Sequence, residues 1–242
     1  MPRITLEVDE DLRFLLPRGR RHERVWAEAI PTDTVGHVVE SIGIPLTEVG
    51  GLRLDGAPVS PRDRARPGVI SVPTRSRPQP WPTAVPRFVL DIHLGRLARH
   101  LWLLGQDALW GQVDDGVLAA AAAAEQRILL TKDRGLLRRR VVEHGALVRG
   151  SRVSDQVADV LDRFVPPLRP WTRCMACGGE VETITPVQAA AAEIPPGTTM
   201  RHREFWRCPT CGRVYWRGAH TRRLDVLVAT AHDAIRRASM PR

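Results

Sequence analysis

Lysine is almost missing from this chain: Lys132 stands alone among 36 lysine and arginine residues. A preference for arginine codons accounts for that choice, but not for where acidic residues are scarce. Cysteine is limited to four residues, all in two pairs, which excludes a disulfide framework with partners to spare. Long apolar runs are missing too. The longest, Val117 to Ala124, is far too short to cross a bilayer, so no membrane is expected as a partner. The first twelve residues are polar and charged, unlike a secretory leader. No internal repeat occurs, and no serine or cysteine motif of nucleophilic catalysis is evident. These absences leave a cytoplasmic protein with a core of ordinary size, divided into two or three modest domains.

What is present begins with charge. The formal net charge is +9, with residues 1–78 and 79–167 nearly balanced and two thirds of the excess in residues 168–242. A surplus placed in this way favours a polyanion such as nucleic acid. Cys174-x-x-Cys177 and Cys208-x-x-Cys211 bracket thirty residues. Each knuckle presents two thiolates to one tetrahedral ion, so the four cysteines are expected to hold a structural Zn²⁺ with no position open for water. The knuckles thus define a zinc ribbon.

Two proline-rich breaks, Pro73 to Pro82 and Pro166 to Pro170, divide the chain, because proline lacks the donor that helices and central strands require. The expected domains are residues 1–78, 85–166 and 168–242, the last a zinc ribbon with a C-terminal helix. In the first, Ile4, Leu6 and Val8 alternate as in a half-buried strand. Thr32-Asp33-Thr34 precedes a helical stripe of Val35, Val38, Val39 and Ile42 that Gly43 ends. Short strands near Gly51–Leu54 and Gly68–Val72, with a turn at Asp55-Gly56, complete a ubiquitin-like β-grasp pattern. Residues Ile44 to Val49 resemble the segment after the helix in small sulfur-carrier proteins. Those carriers end in a free Gly-Gly tail, whereas this module runs on into Pro73 and Pro78. A docking role toward a protein partner, or a structural role, is therefore expected rather than sulfur transfer.

The middle segment alternates strand and helix. Strands are expected at 87–91, 108–110, 128–131 and near 146–148, with helices at 93–104, 114–126, 134–140 and 153–164. Such repeats predict an α/β domain with a parallel sheet flanked by helices. Ligands of such sheets bind beyond the carboxyl ends of the strands. Asp91 closes the first strand, Asp133 lies just past the third, and Asp114-Asp115 lies in the loop after the second. Clustered carboxylates call for a cation, and hard oxygen donors suit Mg²⁺ or Mn²⁺. Capping a helix is the competing explanation for each aspartate. Asp107 reads as a strand start and Asp155 as a helix-start residue.

These residues resemble a known family. Phe88-Val-Leu-Asp91-x-x-Leu94-Gly95-Arg96-Leu97-Ala98-Arg99, continuing to Gly105-x-Asp107, is similar to the opening of the Mut-seven C-terminal ribonuclease domain, a PIN-like nuclease with a zinc ribbon. Ile128-Leu-Leu-Thr-Lys-Asp133-Arg134 is similar to its second motif. Phe205-Trp-Arg-Cys208-Pro-x-Cys211-Gly-Arg-Val-Tyr215-Trp216-x-Gly218 is similar to its ribbon. The resemblance covers roughly residues 87 to 225, and a ubiquitin-like module in front is a known arrangement of the family. It implies a metal-dependent ribonuclease in which Asp91 and Asp133 are metal-binding carboxylates and one of Asp114 and Asp115 is the third. Many PIN domains carry a glutamate at that middle position, and the match here is loose. Arg96, Arg99, Lys132 and Arg134 are expected to grip RNA phosphates, with Arg138 to Arg140 either joining them or forming a solvated helix face. In the ribbon, Phe205, Trp206 and Tyr215 are expected in the core, while arginines such as Arg203, Arg207 and Arg213, with His220, face RNA. The alternative is a non-catalytic RNA-binding adaptor that uses the ribbon and arginines alone.

Overall fold

The computed structural model describes residues 3–111, 114–192, 194–218 and 221–240. Strand β1 (Arg3–Val8) buries Ile4, Leu6 and Val8 on one face, as its alternation dictates. It pairs antiparallel with β2 (Arg24–Glu28) and parallel with a later strand. Helix α1 (Val35–Ser41) is capped by Thr34, whose hydroxyl accepts from the His37 N–H, and Gly43 ends it at φ +98°. Strands β3 (Arg53–Leu54) and β4 (Ala57–Pro58) form a two-residue hairpin at Asp55 and Gly56, both at positive φ. Strand β5 (Val69–Val72) then enters beside β1, giving a five-stranded sheet in the order β2-β1-β5-β3-β4. Strands β2 and β4 are additions to the expected pattern, while β1, α1, β3 and β5 fall where expected.

The α/β elements come next in the chain. They are β6 (Arg87–Leu90), α2 (Gly95–Leu103), β7 (Asp107–Trp110), α3 (Asp115–Ala124), β8 (Ile128–Thr131), α4 (Arg134–Leu137), β9 (Gly145–Leu147) and α5 (Val153–Phe164). Strands β6 and β7 pair in parallel, as do β8 and β9, and helices flank both pairs. This is the parallel α/β architecture that the alternation predicted. Two helices depart from expectation. A 3₁₀ turn at Ile92–Leu94 precedes α2, and α4 stops at Leu137 rather than Arg140. The ribbon comprises β10 (Glu182–Ile184), α6 (Pro186–Ala190), α7 (Thr198–Arg201), β11 (Phe205–Arg207) and β12 (Val214–Trp216). Its sheet order is β10-β11-β12, and α8 (Thr221–Ala238) closes the chain. No helix among the described residues is long and apolar enough to cross a membrane.

The chain forms two compact units, Met1–Gln79 with Asp114–Leu147 and Pro80–Val113 with Val148–Arg242. In the first, the ubiquitin-like module is fastened to the α3–β9 segment by directed hydrogen bonds. Glu48, 3% exposed, accepts the Leu147 N–H at 2.8 Å through Oε1. Arg134 donates to the Leu15 carbonyl, and Arg138 donates to that of Glu40. In the second unit, Phe88 meets Phe164 edge-on, and the indole of Trp81 donates to the Phe164 carbonyl. The second proline-rich break continues this packing: Arg169 and Trp171 donate backbone N–H groups to the Leu104 and Leu103 carbonyls at the end of α2. Leu104, Leu161 and Ala231 form a cluster that seats α8 on α5.

Candidate metal centre and carboxylate corners

The ribbon brings its four cysteines together. Their sulfurs, with those of no other described residue, form a group whose donor atoms all lie within 4.8 Å of one another. Cys174 and Cys211 are 3.6 Å apart at sulfur, Cys177 and Cys208 3.5 Å. A tetrahedral ion with metal–sulfur bonds of about 2.3 Å separates its sulfurs by about 3.8 Å, so the cluster fits such an ion. One sulfur of each pair is buried (Cys174, Cys208) and one exposed (Cys177, Cys211). Burial pushes the Cys174 thiol up, but the Tyr215 hydroxyl at 3.0 Å and the Ala176 N–H stabilise its thiolate, and the balance lowers it to about 6. Burial pushes Cys177 up to about 12. Tyr215 thus does more than pack, since it holds one sulfur in its charged form. Phe205 is fully buried and forms the ribbon core with Ile184 and Ala189; Trp206 and Tyr215 are half-buried. Arg203, Arg207 and Arg213 are exposed, and His220 lies outside the described residues.

The aspartates occupy βα corners as expected, and each takes up a backbone donor. Asp91, 5% exposed, sits just past β6 and accepts the His93 N–H at 2.8 Å. Asp133, exposed, sits just past β8 and accepts the Gly135 N–H at 2.7 Å. Asp114 accepts from Gly116 and Val117 at the start of α3, so it is the cap and Asp115 is the first helical residue. Capping engages Oδ1 in all three. Asp114, Asp115 and Asp133 belong to the first compact unit, Asp91 to the second. Asp107 starts β7 and pairs with Arg87, as its place in the sequence implied.

The expected phosphate-binding side chains divide. Arg96 and Arg99 are exposed on α2, and Lys132 is exposed beside Asp133. Arg134 is half-buried, because its guanidinium reaches Leu15. Trp110 is a positioning residue that sequence reasoning missed. Its indole donates to the Ile92 carbonyl, and its ring lies so close to Gly95 that an added Cβ would stand 2.5 Å from it. That contact fixes the corner just beyond Asp91. The Gly95 in the first motif was the available signal, since a helix-start glycine marks a close approach.

Family comparison agrees with this layout. A model of the Mut7-C RNAse domain matches residues 86–228, and one of the Mut7-C ubiquitin matches residues 1–76. Comparison with curated proteins and with solved structures yields no significant match. With more than half of its length matched, this chain belongs to the Mut7-C RNAse domain family, with a Mut7-C ubiquitin module in front.

Proposed function

We propose that the protein is a divalent-metal-dependent ribonuclease that hydrolyses RNA phosphodiester bonds. The observation that carries this reading is the Mut7-C RNAse match over residues 86–228, the stretch that contains Asp91, Asp114, Asp115 and Asp133. Asp91, Asp133 and one of Asp114 and Asp115 would hold Mg²⁺ or Mn²⁺, whose preference for hard oxygen donors these side chains meet. When bound, such an ion supplies charge to activate water and to stabilise the displaced oxygen. The chain's own contribution is to present carboxylates on rigid βα corners, each pinned by a helix cap, and to flank them with Arg96, Arg99, Lys132 and Arg134 for the substrate phosphates. The four cysteines hold Zn²⁺ as a structural ion. The modules are residues 1–78, 85–166 and 168–242, and the setting is the reducing cytoplasm, where paired knuckles stay available for metal.

The second reading is an RNA-binding adaptor without cleavage. It is favoured by one observation: the helix caps account for Asp91, Asp114 and Asp133 without any cation. Cleavage of labelled single-stranded RNA with Mn²⁺, Mg²⁺ or EDTA, beside the Asp91→Asn/Asp133→Asn variant, decides between them. Asparagine caps helices as well as aspartate, so the variant removes charge while keeping the fold. Metal-dependent cutting that disappears in the variant supports the nuclease. Binding without cutting, equal in both proteins, refutes it in favour of the adaptor.

A further inference from the structure

The first compact unit also holds a concavity beside the C-terminal end of α4. It is a groove of about 910 Å³ with one wall from the ubiquitin-like module and the other from residues 137–143. Five arginines line it, Arg62 and Arg75 from the module and Arg138, Arg139 and Arg140 from the opposite wall. Three carboxylates, Asp33, Glu40 and Glu143, also line it, which leaves a surplus of two positive charges (5 − 3). Burial raises the Glu40 carboxyl above its ordinary range against the pull of Arg138 and His37.

The arginines are unequally committed. Arg138 donates to the Glu40 carbonyl and Arg75 to that of Val49. Arg62, Arg139 and Arg140 are exposed, and among the described residues their side chains make no ion pair or hydrogen bond. Packing therefore does not explain these three. Arg139 also ties the groove to the start of α3. A Cβ placed on Gly116 would meet both the Arg139 guanidinium, at 3.3 Å, and the Asp114 carboxylate, at 2.9 Å.

We propose that this groove binds the backbone of a single-stranded RNA segment, so that the ubiquitin-like module supplies one wall of the substrate path. Guanidinium forks matched to phosphate, on two facing walls, favour a polyanion of repeating phosphates over an acidic peptide. Leu46, half-buried in the groove wall, offers apolar surface to a base between the arginines. The inference rests on the ribonuclease reading and adds a role for the module in holding the strand.

The test is fluorescence anisotropy with a labelled single-stranded RNA, using the full chain. The Asp91→Asn/Asp133→Asn background prevents cutting during the measurement. Arg62→Ala on one wall and Arg139→Ala/Arg140→Ala on the other are compared with Arg18→Ala, a surface change outside the groove. Each lost phosphate contact should flatten the slope of log K against log salt by about 0.7. The groove variants are expected to weaken binding several-fold with slopes reduced by roughly one and two such steps, and Arg18→Ala to match the parent. If the wild-type protein cuts RNA but the groove variants bind it as the parent does, the groove is overturned and the ribonuclease stands. If the wild-type protein neither binds nor cuts RNA, both fail. Unchanged RNA binding, combined with poly-glutamate binding that Arg62→Ala abolishes, would assign the groove to an acidic protein partner instead.

Discussion

Replacing Glu48 by alanine should loosen the ubiquitin-like module from the segment that carries Asp133. The Glu48 carboxylate is 3% exposed and accepts the Leu147 N–H of β9 at 2.8 Å. A hydrogen bond to a charged group is worth about 1.5–3 kcal/mol, and the orphaned N–H adds its own desolvation cost. The Ala variant should therefore lose about 3 kcal/mol. With a urea slope of about 2 kcal/mol per M, the unfolding midpoint of this unit falls by about 1.5 M. Amide hydrogen exchange offers a local check, because about 3 kcal/mol corresponds to roughly a hundredfold faster opening at Leu147. Glu48→Gln keeps a carbonyl acceptor and should lose only about 1 kcal/mol. An Ala variant within about 0.5 kcal/mol of wild type, with Leu147 exchange unchanged, would refute the clamp.

Further outcomes can be checked on the same protein. Metal analysis should give one zinc per chain, and a strong chelator should melt the β10–β12 ribbon by circular dichroism; a ribbon that stays folded without metal would refute a structural ion. In metal-free protein at pH 7, Cys177, pushed up to about 12, and Cys211, also raised, keep their protons. Zinc binding should then release at least two protons, seen by calorimetry in buffers of different ionisation heat, and affinity should weaken as pH falls; binding without proton release would contradict thiolate ligation. Gly105→Ala should cost more than about 2 kcal/mol in thermal or urea unfolding, because Gly105 sits at φ +78°. The added Cβ would also fall 2.0 Å from the Arg169 carbonyl oxygen, so a neutral result would mean that the end of α2 is built differently.

Much of the fold was legible because local chemistry and tertiary packing agree. The Thr34 cap, the Gly43 and Gly105 stops and the three apolar residues of β8 each read the same way in sequence and structure. Strand β2 was not legible: Val25 and Ala27 point inward, but Ala27 is small and the outward Trp26, stacked under Arg3, blurs the alternation. Helix α4 stops early because its carbonyls already converge on the Arg138 N–H, after which Val142 turns back to bond Arg139. At the candidate site, the corner positions of Asp91, Asp114 and Asp133 were readable from strand ends. The capping role of each was readable too. Glu48 and Arg134 were not readable as fasteners, since a carboxylate in a turn and an arginine beside an aspartate look solvated until the ubiquitin-like module and the α3–β9 segment close on each other.

The link between α2 and the ribbon has a mechanical consequence. Proline-rich stretches are usually tethers, but here Arg169 and Trp171 supply donors to the last carbonyls of α2, while Gly178 lies against the Trp102 ring. The join is therefore a splint, and the helix leans on a segment more than sixty residues further along the chain. A chain cut at residue 167 would leave both carbonyls without these donors and bare the indole. Damage at the sulfurs would accordingly reach α2 through a handful of rigid bonds, and the ribbon could not be exchanged for another without rebuilding that helix end.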